Sequence, residues 1–164
     1  MIAHALGAKV IAVDISDDKL VLAQQLGAAA TINAGKTDRV AEAIRELSSS
    51  GVHVSVDAIG NATACFNSID SLRKRGKHIQ VGLMVEDDHN PRVPMGKVLS
   101  NELEILGSHG MQAHRYADML AMIAAGDLEP ERLIGNTICL DEAGAELTSM
   151  NKFGSRGVTV ITEF

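Results

Sequence analysis

Two hydrophobic rhythms alternate along the chain. Short β-branched runs with continuous or period-two apolar character are separated by segments whose apolar residues recur at helical spacing, the pattern of βαβ units on a parallel sheet. KVIAVD (Lys9 to Asp14) reads as a buried strand. SDDKLVLAQQLG follows as a helix that Ser16 can cap, with Leu22 and Leu26 on one face and Gly27 as its stop. AATINA (Ala29 to Ala34) predicts the next strand, and Val40, Ala43, Ile44 and Leu47 mark the next helical stripe.

The unit repeats further on. VHVSVDAIG predicts a strand ending in Gly60, with Asn61 as cap of a helix that buries Cys65, Ile69 and Leu72 and runs to Gly76. HIQVGL is the following strand, ending near Gly82, and EDDHNPRVP is a polar, proline-bearing loop. ELEILGSHG (Glu102 to Gly110) predicts a strand whose Glu102 and Glu104 place it at a sheet edge. Tyr116, Met119, Leu120 and Ile123 predict a helix closing at Gly126. LIGNTICL, DEAGAELTSM and GVTVITEF then read as strand, helix and strand, the helix packing through Ala143, Leu147 and Met150. The polar stretch DLEPER (Asp127 to Arg132) predicts a boundary, giving domains 1–126 and 127–164.

With 46% hydrophobic and 22% charged residues, 164 residues can build a real core, and disorder is excluded. No apolar run approaches the ~18 residues of a membrane span. A net charge of -6 argues against phosphate-backbone binding, so no nucleic-acid partner is expected. Cys65 and Cys139 make no disulfide framework and read as buried, inert thiols in a reducing cytoplasm. The opening MIAHALGAKVIAVD lacks the charged head and cleavage site of a signal peptide. His4, His53, His78 and His89 are scattered, and His109 and His114 have no nearby Cys, so no metal site is expected. Glu86, Asp87, Asp88 and His89 read as a solvated loop.

Asp14 carries the most chemistry. An acid closing a strand before a turn and helix can accept both hydroxyls of an adenosine ribose and repel a 2′-phosphate, favouring NAD over NADP. It can equally cap nearby amides. In dinucleotide folds this acid lies ~20 residues beyond a glycine fingerprint. Asp14 has thirteen residues ahead of it, and no G-x-G-x-x-G follows. The fingerprint is therefore expected before Met1, with IAHALGA as the back of the helix that follows it.

Taken together, ALGAKVIAVDISDDKL, VDAIGN, IQVGL, ELEILGSHG and LIGNTICLDEAGAELTSM…GVTVITEF resemble the C-terminal half of zinc-containing medium-chain alcohol dehydrogenases across nearly the whole chain. The last stretch is the most specific. The resemblance implies a Rossmann-like, doubly wound parallel sheet that lacks its first strand and glycine loop, plus a C-terminal strand-helix-strand return belonging to the family's catalytic domain. It implies NAD as cofactor, weakly bound by this chain, with hydride transfer and zinc confined to the intact family member. By the same resemblance Asp14 and Lys19 serve the adenosine ribose, Ile59 and Gly60 the adenine and ribose side, Val81 and Gly82 the nicotinamide half, and Ser108 the carboxamide end. Dimerisation through Leu103 to Gly107 is implied as well. No catalytic residue is carried over.

Two other readings compete: a non-catalytic nucleotide-sensing domain, and another adenosine-binding enzyme such as a methyltransferase. The absent central strand also raises an expectation of its own. Either Lys9–Asp14 and Val52–Asp57 pair directly, or a second copy lends GVTVITEF across the gap.

Overall fold

The structure is a computed structural model that describes residues 1–150 and 157–164. Its elements alternate as the sequence rhythm predicts. Helix α1 spans Ile2–Ala5, β1 Val10–Asp14, α2 Asp17–Gln25 and β2 Ala28–Asn33. Then come α3 (Val40–Ser48), β3 (Val52–Asp57), α4 (Ala62–Asp70), β4 (Leu72–Gln80), α5 (Met95–Ser100) and β5 (Glu104–Gly107). The chain ends with α6 (Tyr116–Ala124), β6 (Ile134–Cys139), α7 (Ala143–Ser149) and β7 (Val158–Glu163). Every strand pair is parallel, in sheets ordered β1-β2, β3-β4-β5 and β6-β7.

The chain divides into two compact units, one of residues 1–35 and 112–164, the other of residues 36–111. In the first unit β1 and β2 run in register from Ile11 against Ala30 to Asp14 against Asn33. Leu20 of α2 and Ile32 of β2 are its buried apolar side chains here, and Leu128 is buried beyond α6. Gly27 takes φ +101° just after α2, as a helix stop of this kind requires. The second unit holds a denser core. Cys65 and Ile69 of α4 pack with Leu72 and Leu103, flanked by Val52, Met84, Val93 and Val98. Asn61 caps α4 as expected, its Oδ1 accepting the Ala64 N–H at 2.8 Å.

Several expectations need correction. The helix predicted to reach Gly76 stops at Asp70, with Ser71 as its C-cap, and Leu72 already belongs to a strand. Leu72 suits both readings because it is buried either way, at 1% exposure. The strand expected over Glu102 to Gly110 is confined to Glu104–Gly107, since Glu102 turns the chain at φ +51°. It does lie at a sheet edge, all four residues exposed, and Lys77 opposite Glu104 forms an ion pair at 3.1 Å. Helix α5 was not predicted. In α7, Leu147 and Met150 are exposed, and the helix instead turns Glu146 to the sheet, where Thr159 Oγ1 donates to its carboxylate at 2.6 Å.

The missing-strand expectation is also revised. β1 and β3 lie in different sheets, so the direct pairing does not form. β7 is already paired in parallel within its own chain, running from Ile134 against Val158 to Cys139 against Glu163.

Candidate functional site

Each unit ends a strand on an aspartate, and the candidate residues gather at those two ends. Asp14 is the last residue of β1. Its Oδ1 accepts the Ser16 N–H at 2.9 Å, a local turn that starts α2. Ser16 occupies the N-cap position as expected, but its side chain makes no capping hydrogen bond. Across the strand pair, Asn33 Oδ1 accepts the Gly35 N–H at 2.8 Å while its Nδ2 donates to Asp17 at 2.6 Å. Asp14 is half-buried, and among the described residues its Oδ2 has no hydrogen-bond partner. Lys19, also half-buried, sits one turn into α2.

Asp57 ends β3 in the same way but is buried at 3% exposure. Its Oδ1 accepts N–H bonds from Ile59 at 2.8 Å and Gly60 at 3.0 Å, and its main-chain oxygen accepts those of Val81 at 2.9 Å and Gly82 at 2.8 Å. Gln80 Nε2 donates to Asp57 Oδ2 at 2.9 Å. One residue thus collects four amides from the loops that follow β3 and β4.

Those loops meet backbone to backbone. A Cβ placed on Gly60, at φ +86°, would lie 2.2 Å from the Leu83 oxygen, and one on Gly82 would lie 2.2 Å from the Gly60 nitrogen. Glycine is required at both positions by space, and at Gly60 by conformation too. The side chains between them face outward: Ile59 is 62% exposed and Val81 45%. The Ser108 N–H donates to the Gln80 main-chain oxygen at 2.9 Å, carrying the β4-β5 ladder one residue past β5 while its side chain remains exposed.

The structure therefore brings Ile59, Gly60, Val81 and Gly82 together in one unit, with Ser108 beside the same β4 end, and places Asp14 and Lys19 in the other unit. The sequence reading passed over Asp57, His78 and Gln80, which build the second strand end from within. His78 is 1% exposed, with Nδ1 at 3.3 Å from Ser55 Oγ and 3.0 Å from Ser68 Oγ, and Nε2 at 3.1 Å from Gln80 Oε1. A signal for them existed. Ser55 and Asp57 on one strand, and His78 and Gln80 on the next, are polar pairs two residues apart, and the parallel register sets each opposite the other.

Burial, and secondarily the Asp57 charge, push the Cys65 thiol up, so it stays protonated and unreactive. Among the described residues, no three His, Cys, Asp or Glu side chains are placed to hold a metal ion. A half-buried carboxylate at a parallel strand end, with one oxygen unpartnered among the described residues, does fit a hydroxyl-bearing ligand such as a ribose.

The sequence profile of the zinc-binding dehydrogenases matches residues 1–125. The chain belongs to this family. Among curated members it is 28% identical over 155 residues to the NAD-dependent alcohol dehydrogenase of Saccharolobus solfataricus, covering 94% of this chain and 43% of that protein. It is 37% identical over 106 residues to an alcohol dehydrogenase of Geobacillus stearothermophilus, 65% of this chain and 30% of that one. Among solved zinc-binding dehydrogenase relatives, benzyl alcohol dehydrogenase from Acinetobacter calcoaceticus superposes with a TM-score of 0.87 at 25% identity, covering 99% of this chain and 45% of that chain. The alcohol dehydrogenase of Aeropyrum pernix superposes at 0.79 with 27% identity, covering 93% and 42%. The chain thus spans less than half the length of these dehydrogenases. Among the described residues, no helix is long and apolar enough to cross a membrane.

Proposed function

We propose that this chain is the cofactor-binding part of an NAD-dependent alcohol dehydrogenase. The observation that carries the reading is the open Oδ2 of Asp14 at a parallel strand end in a chain matched by zinc-binding dehydrogenases. When bound, nicotinamide supplies a hydride acceptor or donor. The chain's own residues do the holding. Asp14 accepts the adenosine ribose hydroxyls, with Lys19 beside them, and its charge disfavours a 2′-phosphate. Ile59 and Gly60 serve the adenine and ribose side, Val81 and Gly82 the nicotinamide half, and Ser108 the carboxamide end. Residues 1–126 form this cofactor domain, and residues 127–164 belong with the family's catalytic domain.

Alcohol oxidation is assigned to the longer dehydrogenases that this chain matches over less than half of their length, with this segment supplying the cofactor site. The protein works in the cytoplasm as a homodimer through the edge strand from Leu103 to Gly107, whose residues 104–107 are exposed. A proline at Ile105 removes a ladder donor there and is expected to reduce the dimer to monomer in light scattering.

The test is a fluorescence titration of the full chain with NADH and NADPH. Binding is expected to be weak, with NADH preferred, and Asp14→Ala is expected to abolish the preference. Equal binding of NADPH by the parent, or an unchanged preference in Asp14→Ala, would overturn the reading.

A further inference from the structure

We propose that Gln80 is a positioning residue that fixes the direction of a buried hydrogen-bond chain and so sets the two loops ending β3 and β4 for the dinucleotide. The inference rests on the reading of those loops as cofactor-binding.

The direction follows from the ends of the chain. Asp57 Oδ1 receives two backbone N–H groups, which can only donate. Gln80 Nε2 lies 2.9 Å from Asp57 Oδ2 and 2.9 Å from the Gly82 main-chain oxygen, a carbonyl that cannot donate. Two acceptors claim both amide hydrogens, and Met84 Sδ at 3.4 Å is a weaker third neighbour. The orientation of the Gln80 amide is thereby forced, and its Oε1 must face His78 Nε2 at 3.1 Å. That nitrogen must carry the proton. Nδ1 lies 3.0 Å from the Ser68 hydroxyl and 3.3 Å from that of Ser55, either of which can complete its hydrogen bond. No buried side-chain polar atom among the described residues lacks a partner.

Gln80 is the link that reaches both loops. It touches the Gly82 oxygen directly and holds the carboxylate that gathers the Ile59 and Gly60 amides. The close approach of Gly60 and Gly82 leaves little slack between these loops, so a reversed bond at Gln80 displaces both. A glutamate at this position sets oxygen against the Asp57 carboxylate, and an asparagine at position 57 sets N–H against the Gln80 amide. The double exchange restores a donor facing an acceptor between positions 57 and 80, while the glutamate oxygen still meets the Gly82 carbonyl.

The experiment compares the full chain with Gln80→Glu, Asp57→Asn and the double variant. Nitrogen-15 spectra read the His78 tautomer and the amides of Ile59, Gly60, Val81 and Gly82, and NADH titration reads binding. The parent is expected to show a proton on Nε2. Each single variant is expected to shift all four amides and weaken NADH about tenfold, the scale of one buried bond turned against itself, with the double better than Gln80→Glu but short of the parent. A bare Nε2 in the parent, unmoved amides in the single variants, or a double variant no better than Gln80→Glu would overturn the proposal. If the parent binds no NADH, the cofactor reading fails and the tautomer and amides alone decide this one. If Gln80→Glu does not fold, the Nε2 proton in the parent and the amides of Asp57→Asn decide it.

Discussion

Asp14 and Asp57 occupy the same place in two parallel strand pairs, and each accepts the amide two residues downstream. They differ in the second oxygen. That of Asp57 is clamped by Gln80, whereas that of Asp14 is open among the described residues. An identical local turn can therefore stand in two settings: the buried acid holds protein amides with both oxygens, and the half-buried acid leaves one oxygen unpartnered among the described residues, as the proposed ribose contact requires. Strand-terminal aspartate alone does not mark a binding site.

The contrast is broken most severely by filling the loop contact. Gly60→Ala forces a Cβ within 2.2 Å of backbone and is expected to cost about 4 kcal/mol, read as a lowered midpoint in urea. Gly7→Ala, at the similar φ of +83° but with nothing within 4 Å of its Cβ, is expected to cost only about 1 kcal/mol. Equal losses would mean that conformation, not loop contact, governs Gly60.

Next in size is the pair of acids itself. Asp57→Ala strands the Ile59 and Gly60 amides and the Gln80 amide, and is expected to cost about 3 kcal/mol. Asp14→Ala frees a single amide near solvent, at about 1 kcal/mol or less, while removing the preference for NADH over NADPH. Thermal melts and nucleotide titrations on the same two proteins separate these roles. A stability loss in Asp14→Ala matching that of Asp57→Ala would erase the distinction.

A third acid sharpens it. Asp70, at the end of α4, binds Arg45 at 3.0 Å and Lys97 at 3.0 Å, and its main-chain oxygen accepts from both side chains. Burial pushes its carboxyl up, but the bonds and charges of Arg45 and Lys97 outweigh that and hold it below the usual carboxylate range. A lowered value adds stability that is complete above the unfolded carboxylate range and is lost as pH falls through the folded one. Asp70→Ala is thus expected to cost about 2 kcal/mol at neutral pH and progressively less in acid. A loss that does not shrink as pH is lowered would contradict the assignment.

The smallest effect concerns the thiols. Half-buried Cys139 is expected to react with a disulfide reagent before Cys65, whose thiol burial keeps protonated. Faster labelling of Cys65 would mean that the β3-β4 unit opens more readily than its core implies.

Much of this fold was legible in the residue pattern. β1, α2, β2, α3 and β3 were each legible as elements, although in β3 the alternation is inverted, with Val54 and Val56 exposed and Ser55 and Asp57 buried. The α4-β4 junction was not, because Cys65, Ile69 and Leu72 continue a helical stripe across the point where the chain turns into a strand. α5 is six residues long, too short for its own period to emerge. At the site, Asp14, Gly60 and Gly82 stand out at strand ends, where acids and glycines carry positional meaning. The chain through His78 and Gln80 was obscured because its members are scattered in sequence and meet only once the parallel register is known.

That Gly60 and Gly82 touch through their main chains also bears on how such a domain can be rebuilt. A loop contact made by side chains can be retuned one residue at a time, but this one has no side chain to retune. Residues 57–60 and 80–82 therefore form a single transplantable part. Grafting either loop alone from a related dehydrogenase is expected to yield insoluble chimaeras, while moving both together preserves the fold.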